Sequence, residues 1–268
     1  MSDIIAPELA TPLEMAAAGR FVVNDDWIME QKLDGHRVML VSNVDDTKYL
    51  TRSGSEYTKG VPRGLFHGNH GIPAGFIVDG ELVGDVLWAF DILHIDGNLQ
   101  KLPLRERRRV LERLPTSPAL QIVPQARTAQ EKEALLLKAA ADSYEGVVLK
   151  KRDSRYSCGH RTTDWQKVKF VVTADVVVME TQVNGKEAAS FGVYNQKGKL
   201  IEVGRCSLIG KPAVKPGDVV EVRYLYANDR RAPRLFQPTL LKVRTDKKAE
   251  ECLDDQLKFT NKSVMPTL

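Results

Sequence analysis

From residue 171 to residue 243 one pattern recurs: a short run of β-branched and aromatic residues, then a turn. The runs are ADVVVME, ASFGVYN, KLIEVGRCSL, DVVEVRYLYA and PTLLKVR. Turns on Asn184-Gly185, Lys197-Gly198 and Pro216-Gly217 separate them. Valine, isoleucine and aromatic side chains fit a pleated, half-buried surface, and Gly, Asn and Pro supply the backbone geometry of tight turns. About five short strands at this spacing predict a small closed β-barrel of the OB-fold kind.

The preceding 170 residues read differently. Strand signals fill 27–33, 36–42, 48–52, 76–83 and 86–93, and YEGVVLKK and DWQKVKFVV look like further strands. Helices are expected at LEMAAAGR, ending at Gly19, at LRERRRVLERL, starting near Pro103 and running to Leu114, and after a capping box formed by Thr128 and Glu131. In WIMEQKLDGHRVMLV the pair Asp34-Gly35 carries the strongest short hairpin signal, placing Lys32 where a strand enters a turn. The chain has 268 residues, which suits two domains. The fold class is therefore α+β: residues 1–170 form antiparallel sheets with flanking helices, and residues 171–268 form the barrel and a tail. KKAEECLDDQLKF is expected to be a last helix, with a mobile end after it.

Hydrophobic residues make up 43% of the chain, enough for a proper core. Cys158, Cys206 and Cys252 are scattered and form no metal or redox spacing, which suits a reducing cytosol. The first residues show no basic, apolar leader, and no run approaches the roughly 20 apolar residues of a membrane helix. These features predict a soluble cytoplasmic protein without a membrane partner. The net charge is only +4, but the basic residues cluster. Six Lys/Arg stand against two Glu between 101 and 113, and seven against two Asp between 150 and 170. Each cluster alone reads as a solvated face; both beside an OB-type barrel suggest a nucleic-acid surface.

By itself Lys32 reads as a surface lysine on a hairpin, and the alternative is a nucleophile. An attacking amine must be unprotonated, which burial or neighbouring cations such as Arg37 promote. The usual nucleotide sites are absent. GRCSLIGKP has one residue too many between its glycines and Pro212 where Ser or Thr belongs, and no GxGxxG follows a strand. His67 and His70 in HGNHG could bind a metal, but a loop pair without further ligands is more simply structural.

KLDGHR, with Lys32, Asp34, Gly35 and Arg37, resembles the KxDGxR signature of covalent nucleotidyltransferases, namely ATP-dependent DNA ligases, RNA ligases and mRNA capping enzymes. TRSG with Arg52, VDGEL with Glu81, AFDIL with Phe90 and Asp91, EGVVLK with Glu145 and Lys150, DWQKVK with Lys167 and Lys169, and RTDK with Arg244, Asp246 and Lys247 follow in the family's order. The resemblance covers residues 27–247. It implies that Lys32 attacks the α-phosphate of ATP to give a lysyl-AMP. Lys167 and Lys169, two apart on one strand face, would neutralise the phosphates. Glu145 would bind a catalytic magnesium, for which manganese can substitute, with Glu81 as a second carboxylate that also holds the ribose. Phe90 would stack on the adenine, Glu30 would contact its edge, and Lys150 would belong to the nucleotide site. Arg37 and Arg52 would grip the 5′-phosphate of a nick, since guanidinium forks suit phosphate. Asp34 would contact the 3′-hydroxyl side, although a plain Asp-Gly turn explains it as well. Arg244 and Lys247 would orient the leaving pyrophosphate, which requires a hinge near residue 171.

The expectation is a minimal, monomeric ATP-dependent DNA ligase acting on nicked duplex DNA. A GTP-using capping enzyme shares most of these motifs, an RNA ligase shares fewer, and a non-catalytic OB-type binding module would explain the basic clusters alone. Glu81 and Phe90 stand only nine residues apart, where relatives often carry a longer insertion. The resemblance leaves no room for the amino-terminal DNA-binding domain of larger ligases or for a long latch within the barrel.

Overall fold

The computed structural model describes residues 6–43, 47–58, 75–142 and 144–260. Residues up to Lys169 cluster into one compact unit and residues from Phe170 into a second.

The first unit holds β1 (Leu9–Pro12), α1 (Gly19–Val22), β2 (Trp27–Lys32), β3 (His36–Ser42), β4 (Thr47–Thr51), β5 (Phe76–Val83), β6 (Val86–His94), α2 (Leu104–Leu111), β7 (Leu120–Ile122), β8 (Gln125–Ala126), α3 (Ala129–Ala141), β9 (Gly146–Lys151) and β10 (Arg161–Lys169). Two five-stranded sheets result, ordered β1-β10-β9-β2-β8 and β4-β3-β5-β6-β7. Strands alternate their side chains between faces, so the second sheet has two cores. Val38, Leu40, Val78, Leu87 and Ala89 pack with Leu111 of α2. Met39, Ile77, Trp88 and Phe90 pack instead with Val123, Tyr156 and Trp165.

The hairpin expected at Asp34-Gly35 does not form, because β2 and β3 belong to different sheets. Gly35 is not in the positive-φ region that a hairpin turn would require. It is glycine because the chain passes so close to β5 that a β-carbon there would run into the Leu82 carbonyl oxygen. Lys32 thus ends a central strand of one sheet, and the next residues cross to the other.

Two helix expectations are also corrected. LEMAAAGR gives a single 3₁₀ turn at Met15–Ala17, after which Gly19 begins α1 instead of ending a helix. Lys132 of α3, far along the chain, donates to the carbonyls of Phe21 (3.1 Å), Asn24 (2.7 Å) and Trp27 (3.1 Å), satisfying that short helix from outside. The second expected helix ends at Leu111 rather than Leu114, tightening into i−3 bonds from Arg113 and Leu114 before Pro115. The capping box at Thr128 and Glu131 is present, with bonds of 3.2 and 3.0 Å.

The second unit contains β11 (Val172–Thr181), β12 (Ala188–Tyr194), β13 (Leu200–Ser207), β14 (Val219–Tyr224), β15 (Ala227–Asn228), β16 (Arg234–Leu235) and β17 (Thr239–Val243). Its main sheet is ordered β13-β12-β11-β14-β17, and β15 and β16 pair separately. The core follows period two: Ala174, Val176 and Val178 face Phe191, Val193, Val220 and Val222. Among the described residues the ladder has two ends and does not close into a barrel, which corrects the expectation of closure. The expected last helix is two 3₁₀ turns, Ala249–Glu251 and Asp254–Gln256. Cys252 between them is fully buried against Val177 and Val219 on the opposite face of the sheet, and that packing interrupts a continuous helix. Gly204 lies inside β13 and the residues directly after Gly210, 211–218, form no helix, so the P-loop look-alike is excluded. His67, His70 and the final residues lie outside the described residues, and among the described residues no helix is long and apolar enough to cross a membrane.

Candidate nucleotide site

Strand register builds the site. Across the first sheet Lys32 pairs with Gly146, which pairs with Lys169; Glu30 pairs with Val148, which pairs with Lys167; Lys150 pairs with Trp165. Neighbouring rows two residues apart share a face, so cations and a carboxylate from β2, β9 and β10 line one surface. Gly146 carries no side chain at the centre of the Lys32–Lys169 row, and a β-carbon there would strike the Val168 carbonyl. Glu145, just before it, ion-pairs with both lysines, through Oε2 to Lys32 and through Oε1 to Lys169 at 3.0 Å.

A cleft of about 220 Å³ opens here, between the two sheets of the first unit. Glu30, Lys32, Arg37, Arg52, Glu81, Phe90, Lys150 and Lys167 all line it. Lys169 joins through Glu145. Asp34 sits at the exposed crossover and does not line the cleft, while Arg244 and Lys247 belong to the second unit. Leu9, Ala10 and Arg161 also line the cleft, although no motif marks them. The first two lie on β1, an edge strand pairing in parallel with β10. Its signal was masked by Pro12, which an edge tolerates because no ladder donor is needed there. Arg161 was counted only in a basic cluster, yet it begins β10 on the lysine strand.

Several expected ligand-binding groups already hold protein partners. Arg37 forms a two-pronged ion pair with Asp79, both contacts 2.6 Å, and Asp79 is fully buried. The Tyr156 hydroxyl donates to the same carboxylate at 2.5 Å. Glu30 ion-pairs with the buried Lys150 at 2.6 Å and accepts from Gln125 at 2.8 Å. Phe90 is mostly buried, with the Lys150 ammonium 4.3 Å and the Arg37 guanidinium 4.6 Å from its ring centre. The basic cluster at 101–113 is partly internal: Arg107 and Arg108 are buried, Arg107 against Asp91 and Arg108 against Glu112 and the Val123 carbonyl. That cluster is therefore not one solvated face.

Charge and burial act on each other in the cleft. Burial lowers the pKa of Lys167, and the neighbouring Lys32, Arg161 and Lys169 lower it further. Burial raises Glu81 to about 7, against the opposing pull of Arg37 and Lys32. A carboxylate with a raised pKa binds protons more tightly folded than unfolded, so its contribution to stability is present below pH 4.5 and lost as pH rises towards 7. Glu81→Gln is therefore expected to flatten this loss. Melting temperatures of both proteins between pH 4 and 8 check it, and parallel curves would refute it.

Glu145 and Glu81 are the carboxylates a divalent cation could use. Among the described residues no group of three His, Cys, Asp or Glu comes together. Magnesium does not need such a cage; one or two carboxylates with substrate phosphates suffice, and these residues fit that pattern. The arrangement as a whole offers a lysine amine, further cations and a hard carboxylate around one cleft, the parts needed to move a phosphorus centre.

The family model described as an ATP dependent DNA ligase domain matches residues 7–86 and 85–169. The probable DNA ligase of Pseudarthrobacter chlorophenolicus is 32% identical over 219 residues, covering 68% of this chain and 42% of that protein. That of Saccharopolyspora erythraea is 30% identical over 243 residues, covering 80% of this chain and 46% of that protein. The chain thus spans less than half the length of these curated relatives. Among solved structures, mycobacterial DNA ligase D complexed with ATP and MES is 25% identical with a TM-score of 0.55, covering 94% of this chain and 99% of that one. A Lig E DNA ligase structure, 19% identical with a TM-score of 0.62 over 91% of this chain and all of that one, shares the fold.

Proposed function

The chain belongs to the ATP-dependent DNA ligase family, and on that premise we propose that it seals 5′-phosphate/3′-hydroxyl nicks in duplex DNA through a lysyl-AMP on Lys32. One observation carries this reading: the Lys32 amine lies in the cleft against Glu145, which Lys169 also holds.

In this reading Lys32 Nζ gives up a proton and attacks the α-phosphorus of ATP. An N–P bond forms, the Pα–O bond to pyrophosphate breaks, and AMP stays on the lysine. The 5′-phosphate oxygen of a nick then displaces Lys32 to give DNA-adenylate, and the 3′-hydroxyl attacks that phosphate, releasing AMP. Lys167 and Lys169 neutralise the phosphates. Glu81 holds the ribose, Phe90 takes the adenine, and the Glu30–Lys150 pair presents an acceptor beside a donor to its edge. Magnesium, or manganese in its place, held by Glu145 and Glu81, supplies charge neutralisation at the phosphates when bound. Arg52, exposed at the cleft, and the part of Arg37 not engaged by Asp79 serve the nick phosphate. Asp34 serves the 3′-hydroxyl side from the crossover. The second unit acts as the OB-fold, and its Arg244 and Lys247 orient the departing pyrophosphate. Soluble, cytoplasmic and monomeric behaviour completes the reading.

The matches name DNA ligases, so capping and RNA-ligase readings are not favoured. Incubating the chain with ATP and magnesium and a singly nicked duplex, beside the same nick in RNA and beside GTP, tests the proposal. Sealing of the DNA nick with ATP is expected. A GMP adduct without an AMP adduct would overturn it.

A further inference from the structure

RTDK supplies two cations, and one carboxylate outside that motif holds both. Asp175, on β11, accepts from Arg244 through Oδ1 at 2.9 Å and from Lys247 through Oδ2 at 2.6 Å. Arg244 also grips Asp246 with two bonds of 2.8 Å. Asp175 is itself fixed from behind. Its backbone N–H donates to the Gln256 side chain at 2.8 Å, and the Gln256 amide returns a bond to the Asp175 carbonyl at 3.0 Å and another to Leu253 at 2.7 Å. Asp175 is buried, whereas Arg244 and Lys247 are only half-buried. A buried carboxylate aimed at two half-exposed cations fixes where their charges point.

Donor arithmetic shows what remains. A guanidinium has five N–H bonds and an ammonium three. The contacts with Asp175 and Asp246 use three of the five on Arg244 and one of the three on Lys247. Two on each side chain stay available, suited to the oxygens of a diphosphate group. Preorganised donors count for more than mobile ones, because no side-chain entropy is lost at the moment of reaction. The bond to Asp175 also raises the pKa of Lys247, keeping the ammonium charged.

We propose that Asp175 is a positioning residue for nucleotide transfer: it holds Arg244 and Lys247 in the spacing that receives the β- and γ-phosphates of ATP. The proposal rests on the ligase reading and on those two cations serving the pyrophosphate. Only the step that makes or consumes pyrophosphate should then depend on Asp175. Sealing of a nick that already carries AMP involves no pyrophosphate and should not.

Asp175→Asn keeps the shape and removes the charge. The expected result is a fall in the rate of lysyl-AMP formation on the order of 10- to 100-fold, the scale of a misplaced positioning group. Release of ATP from the adenylylated protein by added pyrophosphate should fall by the same factor. Sealing of a chemically pre-adenylylated nick by the same preparation should stay within about threefold, a difference below roughly 0.7 kcal/mol. Equal losses in all three assays, or an unchanged adenylylation rate, would overturn the proposal. If Asp175→Asn lowers the melting temperature markedly, Asp175→Glu provides the second arm. Recovery of adenylylation with the restored carboxylate supports positioning, and its failure in a stably folded variant refutes it. A wild-type chain that takes no AMP on Lys32 would instead defeat the ligase reading itself.

Discussion

Lys32→Ala is expected to take up no AMP from ATP and to lose ATP-driven sealing by at least about 10⁴-fold, the scale seen when the nucleophile of a covalent mechanism is deleted. The loss follows from the chemistry of the cleft rather than from folding. The Lys32 side chain keeps a fifth of its surface exposed and ion-pairs with Glu145, which retains Lys169 in the variant. Removing a part-exposed ammonium from a carboxylate that keeps a second cation leaves no buried charge unpaired, so the melting temperature should move little. Lys32→Arg should fail equally, since a guanidinium keeps the charge but stays protonated and cannot attack.

A pre-adenylylated nick separates the roles. Its sealing requires no nucleophilic lysine, so Lys32→Ala should retain it at a measurable rate while the ATP-driven reaction is gone. Mass spectrometry of the intact chain after exposure to ATP and magnesium reads the first step directly. Adenylate found on another residue, or on the Lys32→Ala chain, would end the lysyl-AMP mechanism.

How much of this site could be read beforehand depended on whether the cause was local. The period-two rule placed Lys167 and Lys169 together, and the motif order collected Glu30, Glu81, Phe90 and Lys150, all but Lys169 lining one cleft. What failed was long-range. Asp34-Gly35 looks like a hairpin turn because Gly usually appears there for positive φ, yet Gly35 serves close packing against Leu82, which is invisible until β5 is in place. Arg107 and Arg108 looked like surface charge because charge patterning does not show that Asp91 and the Val123 carbonyl wait for them. That Asp79 takes two of the Arg37 nitrogens could not be read locally either, because it lies 42 residues away. β1 was missed because its proline is excused only by an edge position that the neighbouring strand creates.

The same long-range pairing makes Asp91→Ala the largest expected loss of stability. Both Asp91 and Arg107 are fully buried, joined by bonds of 2.8 and 2.7 Å, and Arg107 also donates to the Leu102 and Ser154 carbonyls. Burial alone would depress ionisation of Arg107, but Asp91 outweighs it and raises the pKa, so the guanidinium stays charged. Alanine at 91 strands that charge in the core beneath α2, at a cost of about 3–5 kcal/mol for a buried pair broken from one side. For a unit of this size that corresponds to roughly 10 °C in melting temperature. Because Asp91 follows Phe90 on β6, ATP binding should weaken along with the fold. Asp91→Leu combined with Arg107→Met removes both charges, so it should recover part of the loss, but only part, because the two carbonyls lose their donor. Urea unfolding of the wild type and these two variants checks the ordering. A single Asp91→Ala change costing under about 1 kcal/mol would mean that Arg107 finds another counter-charge, and the pair would no longer explain how α2 is fastened to the wall of the cleft.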